Sequence, residues 1–399
     1  MKIKLSERLS SINPSLTLAI SAKAKELKAS GVDVISFGAG EPDFNAPENI
    51  QDEAISSIRE GKIKYTAASG LVELKKAICN KLLRDNNISY EPKNIIISNG
   101  AKQCLYNSLC AILNDGDEVI IAAPYWVSYY ELIMLAGGKP VVIETKEEND
   151  FKYTMQGLRD ALTNKTKAII INTPNNPTGT VYNKEELESI GNWAVDNDLF
   201  IISDEIYEKL IYDGNEHYSI AGLNDKFKDN TIVINGMSKA YAMTGWRVGY
   251  AAAHEDIIKL MNNFQSHATS NACTISQYAS IEGLNGDQSK IEVMRKAFDE
   301  RRKYMVSAIN DVKSLSCRKP LGAFYVMVNI SQLKGKTING KKIETSLDFC
   351  NVLLDEAKVA VIPGSAFGTD DYIRLSYATS LDNIKNGIQR IKELVEANI

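Results

Sequence analysis

Histidine is scarce in this chain. With only His217, His254 and His267, and no H-x-H or H-E-x-x-H pattern, a zinc site is not expected. The six cysteines (Cys79, Cys104, Cys110, Cys273, Cys317 and Cys350) are scattered and form no C-x-x-C pair. They read as reduced, mostly buried thiols rather than a disulfide framework. No apolar run approaches the ~20 residues that a membrane span needs. Neither sign of charge dominates: 46 Lys and Arg stand against 50 Asp and Glu, a formal net charge of −4. That balance provides no basic field to attract nucleic acid or an anionic membrane. The first residues, MKIKLSERLSSINPS, are basic but lack the apolar stretch of a signal peptide. A cytoplasmic protein is expected. Internal repeats and low-complexity tracts are also missing.

What is present is an ordinary globular composition, 44% hydrophobic and 24% charged, over 399 residues. That length suggests two domains, or one large domain with a smaller partner. Short β-branched runs alternate with longer helix-like stretches. The runs at Asn94–Ser98, Glu118–Ala122, Pro140–Glu144, Lys167–Asn172, Leu199–Ser203 and Thr231–Asn235 are apolar almost throughout, as strands covered on both faces are. Helices are expected at Ala101–Leu113, Tyr125–Ala136 and Lys184–Asn197. The class is therefore α/β, a large domain with a mainly parallel sheet between helices. From about Ser289 the pattern changes to a long charged helix over Ser289–Val312, strands at Phe324–Val328, Val359–Ile362 and Tyr372–Tyr377, and helices at Ser346–Ala357 and Leu381–Ala397. This reads as a smaller α+β domain at 289–399, after a large domain at 49–288. Residues 1–48, with a helix at Ser15–Ala29, are expected to pack with the small domain. The Lys-rich Leu333–Lys342 reads as a solvated loop.

Several segments could carry chemistry. In GMSKAYAMTGWRVGY (Gly236–Tyr250), Lys239 follows the strand TIVIN and is flanked by small residues. A lysine that loses water has its pKa lowered and becomes a nucleophilic amine. Arg247, eight positions on, suits a phosphate if the chain turns near Gly245. The alternative is a surface lysine and a structural arginine. In INTPNNPTG (Ile171–Gly179), Pro177 restricts Asn176 to extended geometry, which can fix its amide at the C-terminal edge of the sheet. For the isolated segment an ordinary Pro/Asn turn is the better account. In FIISDEIYEKLIY (Phe200–Tyr212), the apolar strand stops at Asp204, a carboxylate needing a positive partner such as a protonated heterocyclic nitrogen, or else a helix N-cap. Tyr207 lies one turn further if a helix starts there.

In IIISNGAKQCLYNSLCAIL (Ile95–Leu113), strand, small-residue turn and helix place the amides of Gly100, Ala101 and Lys102 where an anion could sit. A tight strand-to-helix turn is the plainer account. Tyr125 and Trp126 in PYWVSYY follow another strand, and an aromatic there stacks on a flat ring or joins the core. Arg374 interrupts the apolar YIRLSYATS and needs an anion, either an internal carboxylate or that of a ligand. FGAGEPDF (Phe37–Phe44) holds a G-x-G after a strand at Val32–Phe37, but Pro42 argues against a dinucleotide turn. Gly40 could instead lie against a ligand.

Taken together and in this order, these segments resemble the class I/II aminotransferases of pyridoxal-phosphate (PLP) fold type I. The resemblance runs from NPSLTLAISAKAKEL through GAGEPDF, KYTAASG, PYWVSYYE, NNPTG, SDEIYE, GMSKAYAMTGWRVGY and GAFYV to RLSYATS. It is closest to the bacterial subgroup containing aspartate aminotransferases, some of which accept aromatic or prephenate-type substrates. The resemblance implies a Schiff base between Lys239 and PLP, with Asp204 on the pyridine nitrogen. It gives Tyr207 and Asn176 the ring's phenolic oxygen and Trp126 the stacking face. It gives the Gly100, Ala101 and Lys102 amides, Ser238 and Arg247 the phosphate. It implies a homodimer in which Tyr65 reaches the neighbouring subunit's phosphate. Arg374 would clamp the substrate α-carboxylate beside Gly40, Trp126 and Asn176. The expected reaction is ping-pong transfer from L-aspartate to 2-oxoglutarate. Aromatic, prephenate or aliphatic donors, or a PLP lyase, share every cofactor residue.

Two departures from the family pattern stand out. Asn13 replaces a lysine linked to recognition of the distal carboxylate. Gly236 stands where another branch has serine, so Ser238 and backbone groups are expected to carry more of the phosphate binding. A PLP-binding transcriptional regulator is not expected, because the pattern begins within the first residues, and Lys239, Asp204 and Arg374 together argue against a dead homologue.

Overall fold

The computed structural model describes residues 5–10 and 12–399. Its centre is a seven-stranded sheet built from β1 (Ile95–Ser98), β2 (Glu118–Ala123), β3 (Lys139–Glu144), β4 (Thr166–Asn172), β5 (Phe200–Asp204), β6 (Thr231–Gly236) and β7 (Gly249–Ala252). The order is β1-β7-β6-β5-β4-β2-β3. Only β7 runs against its neighbours. The isoleucine-rich strands are buried because both faces are covered. Strand β3 is half exposed and lies at the edge, where Pro140 leaves no ladder bond unmade.

Seven helices matter for the site and its support: α1 (Leu16–Ala29), α2 (Ala101–Ile112), α3 (Ser128–Leu135), α4 (Lys184–Asp196), α5 (Glu255–Ala268), α6 (Ser289–Asn310) and α7 (Leu381–Glu396). Alternate strand residues face opposite sides. Ile96, Ile121, Ile170 and Ile202 meet Leu105 and Leu109 of α2 and Ile257, Ile258 and Met261 of α5. Ile120, Ile169, Ile171 and Ile201 meet Leu187, Ile190 and Ala194 of α4. Asn183 and Glu186 close a reciprocal cap on α4, which fixes where that helix begins.

A second sheet is antiparallel and four-stranded: β8 (Ser316–Cys317), β9 (Tyr325–Asn329), β10 (Ile362–Pro363) and β11 (Tyr372–Ser376), in the order β10-β11-β9-β8. Arg374 sits in the interior strand β11, opposite Met327 on one side and Ile362 on the other. Near the start of the chain, Ile35–Ser36 pairs in parallel with Val359–Ala360. Phe37 extends this link, donating to Ala360 and accepting from Ser376 at 2.8 Å each.

The structure departs from the expected elements at several places. The strand expected at Val32–Phe37 shortens to two residues, since only Val359–Ala360 is there to pair with it. The helix expected from Tyr125 starts at Ser128, and the Tyr125 N–H, outside it, bonds to the Phe367 carbonyl at 3.0 Å. Asp204 is not the N-cap of a helix. The next residues form turns, pinned by Glu205, which is buried among Ser203, Ser219 and His217. The segment Leu333–Lys342 is not a solvated loop. Thr337–Ile338 and Lys341–Lys342 form a hairpin, and Leu333, Ile338 and Ile343 are fully buried while its lysines face out. None of the six cysteines is in a disulfide; Cys104, Cys317 and Cys350 are buried, Cys79 and Cys110 are half-buried and Cys273 is exposed. No described helix is long and apolar enough to cross a membrane.

Candidate active site

Parallel strands end together, so the residues that follow them gather at one edge. Register brings Asn172 beside Asp204, and Asp204 beside Ile234 near the end of β6. Beyond these ends lie Trp126 after β2, Asn176 after β4, Tyr207 after β5, and Ser238 with Lys239 after β6. The N-terminus of α2 opens at the same edge, after β1.

Gly100 precedes α2 with φ +84, and no side chain caps the helix. The first amides of α2 therefore remain free for an anion. A Cβ on Gly100 would lie 2.5 Å from Arg247 Nη2, so the arginine lies flat against the turn. Arg247 itself has φ 57 and donates to the Thr244 carbonyl at 2.8 Å and the Asn99 carbonyl at 3.2 Å. Among the described residues no carboxylate pairs with it. Lys102 reaches over the Trp126 ring at 5.0 Å, and burial with Arg247 nearby holds its pKa down. Cationic groups without acids, uncapped amides and glycine backbone together fit a phosphate. Gly249 contributes by being small: a Cβ there would lie 2.2 Å from the Ala101 nitrogen. Ser238 is buried at this edge. At Gly236 a Cβ would come within 2.9 Å of the Gly249 Cα and the Val248 carbonyl, so a serine does not fit this backbone.

Lys239 Nζ donates to the Gly40 carbonyl at 2.5 Å. Burial lowers its pKa to about 8; Arg247 and Arg374 push the same way, and Glu41 and Asp204 oppose them. Gly40 thus offers its carbonyl. Its lack of a side chain matters less than expected, since a Cβ would meet Tyr325 Oη at an ordinary 3.7 Å.

Asp204 is buried and accepts from the Tyr129 hydroxyl at 2.6 Å and from the Ile206 N–H at 3.3 Å. Burial raises its pKa to about 6. Both donors are neutral, so a buried negative charge still lacks a cation in direct contact. A protonated ring nitrogen fits that need. The phenols of Tyr207 and Tyr325 lie 3.0 Å apart, and burial keeps Tyr207 protonated.

Arg374 is 3% exposed, yet no carboxylate pairs with it among the described residues. Its Nη1 donates to Asn176 Oδ1 at 3.0 Å, its Nη2 to the Gly38 carbonyl at 3.3 Å, and its buried Nε has no partner. Tyr325 and Phe367 flank the guanidinium at 4.3 and 4.9 Å. Such a buried cation calls for an incoming anion, and a carboxylate suits its planar fork. Asn176, with its oxygen held by Arg374 and its N–H bonded to Asn172 Oδ1 at 2.8 Å, keeps its amide donors free.

The chain brings Lys239, Asp204, Tyr207, Asn176, Trp126, Arg247, Ser238, Arg374, Gly40 and the start of α2 to one edge. Tyr65 does not join them: it is 90% exposed. Asn13 donates to Glu131 of α3 at 3.3 Å. Reading of the sequence missed Tyr129, Tyr325, Glu41 and Gly249. None of the four carries a signal that separates a site role from packing, although Tyr129 stands three residues after Trp126 and so on the same side of a helical turn.

The sequence profile of the family described as aminotransferase class I and II matches residues 32–391. An aspartate aminotransferase of Bacillus subtilis is 51% identical over 99% of this chain and 99% of its own. The crystal structure of an aspartate aminotransferase from Rhizobium meliloti superimposes with a TM-score of 0.96 at 41% identity, covering 99% of both chains. That of Thermus thermophilus, solved with maleate, gives 0.93 at 39% identity, covering 98% of this chain and all of the other.

Proposed function

This chain belongs to the class I and II aminotransferases, the PLP-dependent transaminases of fold type I, and we propose that it moves amino groups from L-aspartate to 2-oxoglutarate with Lys239, Asp204 and Arg374 as its principal charges. The observation that carries this reading is their convergence: an amine of lowered pKa, a buried carboxylate and a buried guanidinium share one strand edge, and neither buried group has an ionic partner bonded to it. When bound, pyridoxal phosphate supplies a carbonyl carbon for amine exchange and a pyridinium that draws electron density from the substrate Cα.

The chain's own residues would do the rest. The Ala101 and Lys102 amides, Ser238 and Arg247 would hold the phosphate, with Trp126 against the ring; the Gly100 N–H, expected to join them, is instead taken by the Ser98 carbonyl at 2.7 Å. Asp204 keeps a negative charge opposite the ring nitrogen, so that nitrogen stays protonated. Tyr207 and Asn176 donate to the ring's phenolic oxygen. Arg374 clamps the substrate carboxylate in a setting with little water, where the attraction is strong. Lys239 links the cofactor covalently. Freed from that link, Nζ would be the base that takes the substrate Cα proton and the acid that returns it, a role worth ~10²–10⁴-fold in rate. Donor and acceptor would bind the same arginine in turn, and because the amino group stays with the enzyme after the first 2-oxo acid leaves, the kinetics would be ping-pong.

The aspartate assignment is supported by the names of the relatives and by maleate, a dicarboxylate, in the Thermus structure. A homodimer is inferred as well, since it would bring Tyr65 of one subunit to the phosphate of the other. Residues 49–288 would hold the cofactor. Residues 289–399, with 1–48, would form the smaller domain that carries Arg374.

The test is the visible spectrum of the purified protein. A Lys239-linked cofactor band that bleaches with L-aspartate and returns with 2-oxoglutarate supports the proposal. A band indifferent to aspartate overturns the donor, and no band after adding pyridoxal phosphate overturns the whole reading.

A further inference from the structure

We propose that Tyr129 is a positioning residue for the cofactor, its phenol fixing the Asp204 carboxylate that faces the ring nitrogen. The inference rests on the role given to Asp204 above. Tyr129 lies in the first turn of α3, is 3% exposed, and donates to Asp204 Oδ2 at 2.6 Å. Burial and the neighbouring Asp204 hold its own pKa well above 10, so it stays a donor. The other carboxylate oxygen is taken by the Ile206 N–H. Asp204 is thus gripped by two donors that orient it without cancelling its charge. Burial favours the neutral acid, and the phenol works against that. Glu205, Lys239, Tyr207 and Cys104 also face this carboxylate electrostatically, but Tyr129 is its one side-chain hydrogen-bond donor among the described residues. The Tyr129 ring also packs edge-on against Trp126, with centroids 5.3 Å apart and planes at 82°. One side chain therefore touches both the acid and the stacking ring.

A merely structural tyrosine would be replaced by phenylalanine without electronic consequence. A positioning tyrosine would not. Without the phenol, Asp204 draws the ring proton harder, the ring withdraws less charge, and the linking nitrogen becomes more basic. The readout is the pH midpoint of the visible band in the holoenzyme. Tyr129→Phe is expected to raise it by about half a unit or more. The same substitution in an Asp204→Asn background is expected to leave it where Asp204→Asn alone puts it. Placing 3-fluorotyrosine at position 129, a stronger donor of nearly the same shape, is expected to lower it. A midpoint unmoved by either replacement, or moved equally in both backgrounds, overturns the role of Tyr129 while the cofactor reading stands. Absence of any band in the unsubstituted protein overturns both.

Discussion

Lys239 combines two demands that oppose each other. Its amine must be neutral to attack a carbonyl, yet it lies among charges of both signs. Burial is the largest influence and lowers the pKa to about 8; Glu41 is the next and raises it. The cofactor-free protein should therefore capture pyridoxal phosphate with a rate that climbs as pH rises to about 8 and then levels. An ordinary lysine would climb until ~10.4. Replacing Glu41 with glutamine removes an attraction for the charged amine, so the midpoint should fall below that of the unsubstituted protein. Stopped-flow absorbance against pH measures both, and a midpoint near the ordinary lysine value would contradict the burial argument. The same shift has a consequence for stability. Between about 8 and ~10.4 the unfolded lysine holds a proton that the folded one has lost, so this group makes the cofactor-free fold more stable as pH rises through that window. Lys239, Asp204 and Arg374 were legible in the sequence because each is a charge set within or at the end of an apolar strand. Tyr129 was not, because a tyrosine in a helix's first turn looks the same whether it fills a core or grips a carboxylate. Only the register of β5 against its neighbours decides which.

Elements matter through what they leave out. The start of α2 can receive a phosphate because Gly100 adopts positive φ and because Gly249, on the neighbouring β7, has no side chain. Gly249→Ala should push the Ala101 amide out of place. Affinity for pyridoxal phosphate should fall about tenfold or more, ~1.4 kcal/mol, while the far-ultraviolet circular dichroism stays unchanged. Unaltered affinity would mean that the α2 amides do not hold the phosphate. On the other side of the sheet, Lys81 of the helix Val72–Asn86 and Glu208 form an ion pair with side chains 2% and 7% exposed, and Asn86 donates to the same carboxylate at 2.9 Å. Burial would raise the Glu208 pKa, but Lys81 and other cations hold it down at about 2. Lys81→Met should cost about 3–5 kcal/mol by stranding that carboxylate, measurable by urea unfolding. With a folded pKa below the unfolded one, the Glu208 contribution is complete above ~4.3 and is lost as pH falls toward about 2. Element boundaries were readable where apolar runs were long. They failed where the fold intervenes: α3 begins only at Ser128, and Glu205 among Ser203, Ser219 and His217 pins turns after Asp204. The hairpin at Thr337–Lys342 was hidden because its lysines dominate the sequence while its few apolar residues turn inward.

At the scale of the molecule, one chain builds nearly all of a site and leaves Tyr65 outside it. That tyrosine is 90% exposed, and Ile55, Ile58 and Ile63, which precede it in the chain, are each about half exposed. Large side chains left this open suit a surface that meets another. If that surface is the subunit contact, each phosphate site takes its tyrosine from the other chain, and the two defects Tyr65→Ala and Lys239→Ala can complement. In a hybrid of one Tyr65→Ala chain and one Lys239→Ala chain, the first chain keeps its lysine and borrows an intact Tyr65 from the second. That site is whole, while the other lacks both groups. Differently tagged chains purified as a mixed dimer should therefore recover about half the activity per dimer of the unsubstituted protein, with normal cofactor affinity at the active site. The Lys239→Ala dimer should be inactive, and the Tyr65→Ala dimer should bind pyridoxal phosphate weakly. A hybrid whose remaining site binds the cofactor as weakly as the Tyr65→Ala dimer would mean that Tyr65 serves its own subunit or none.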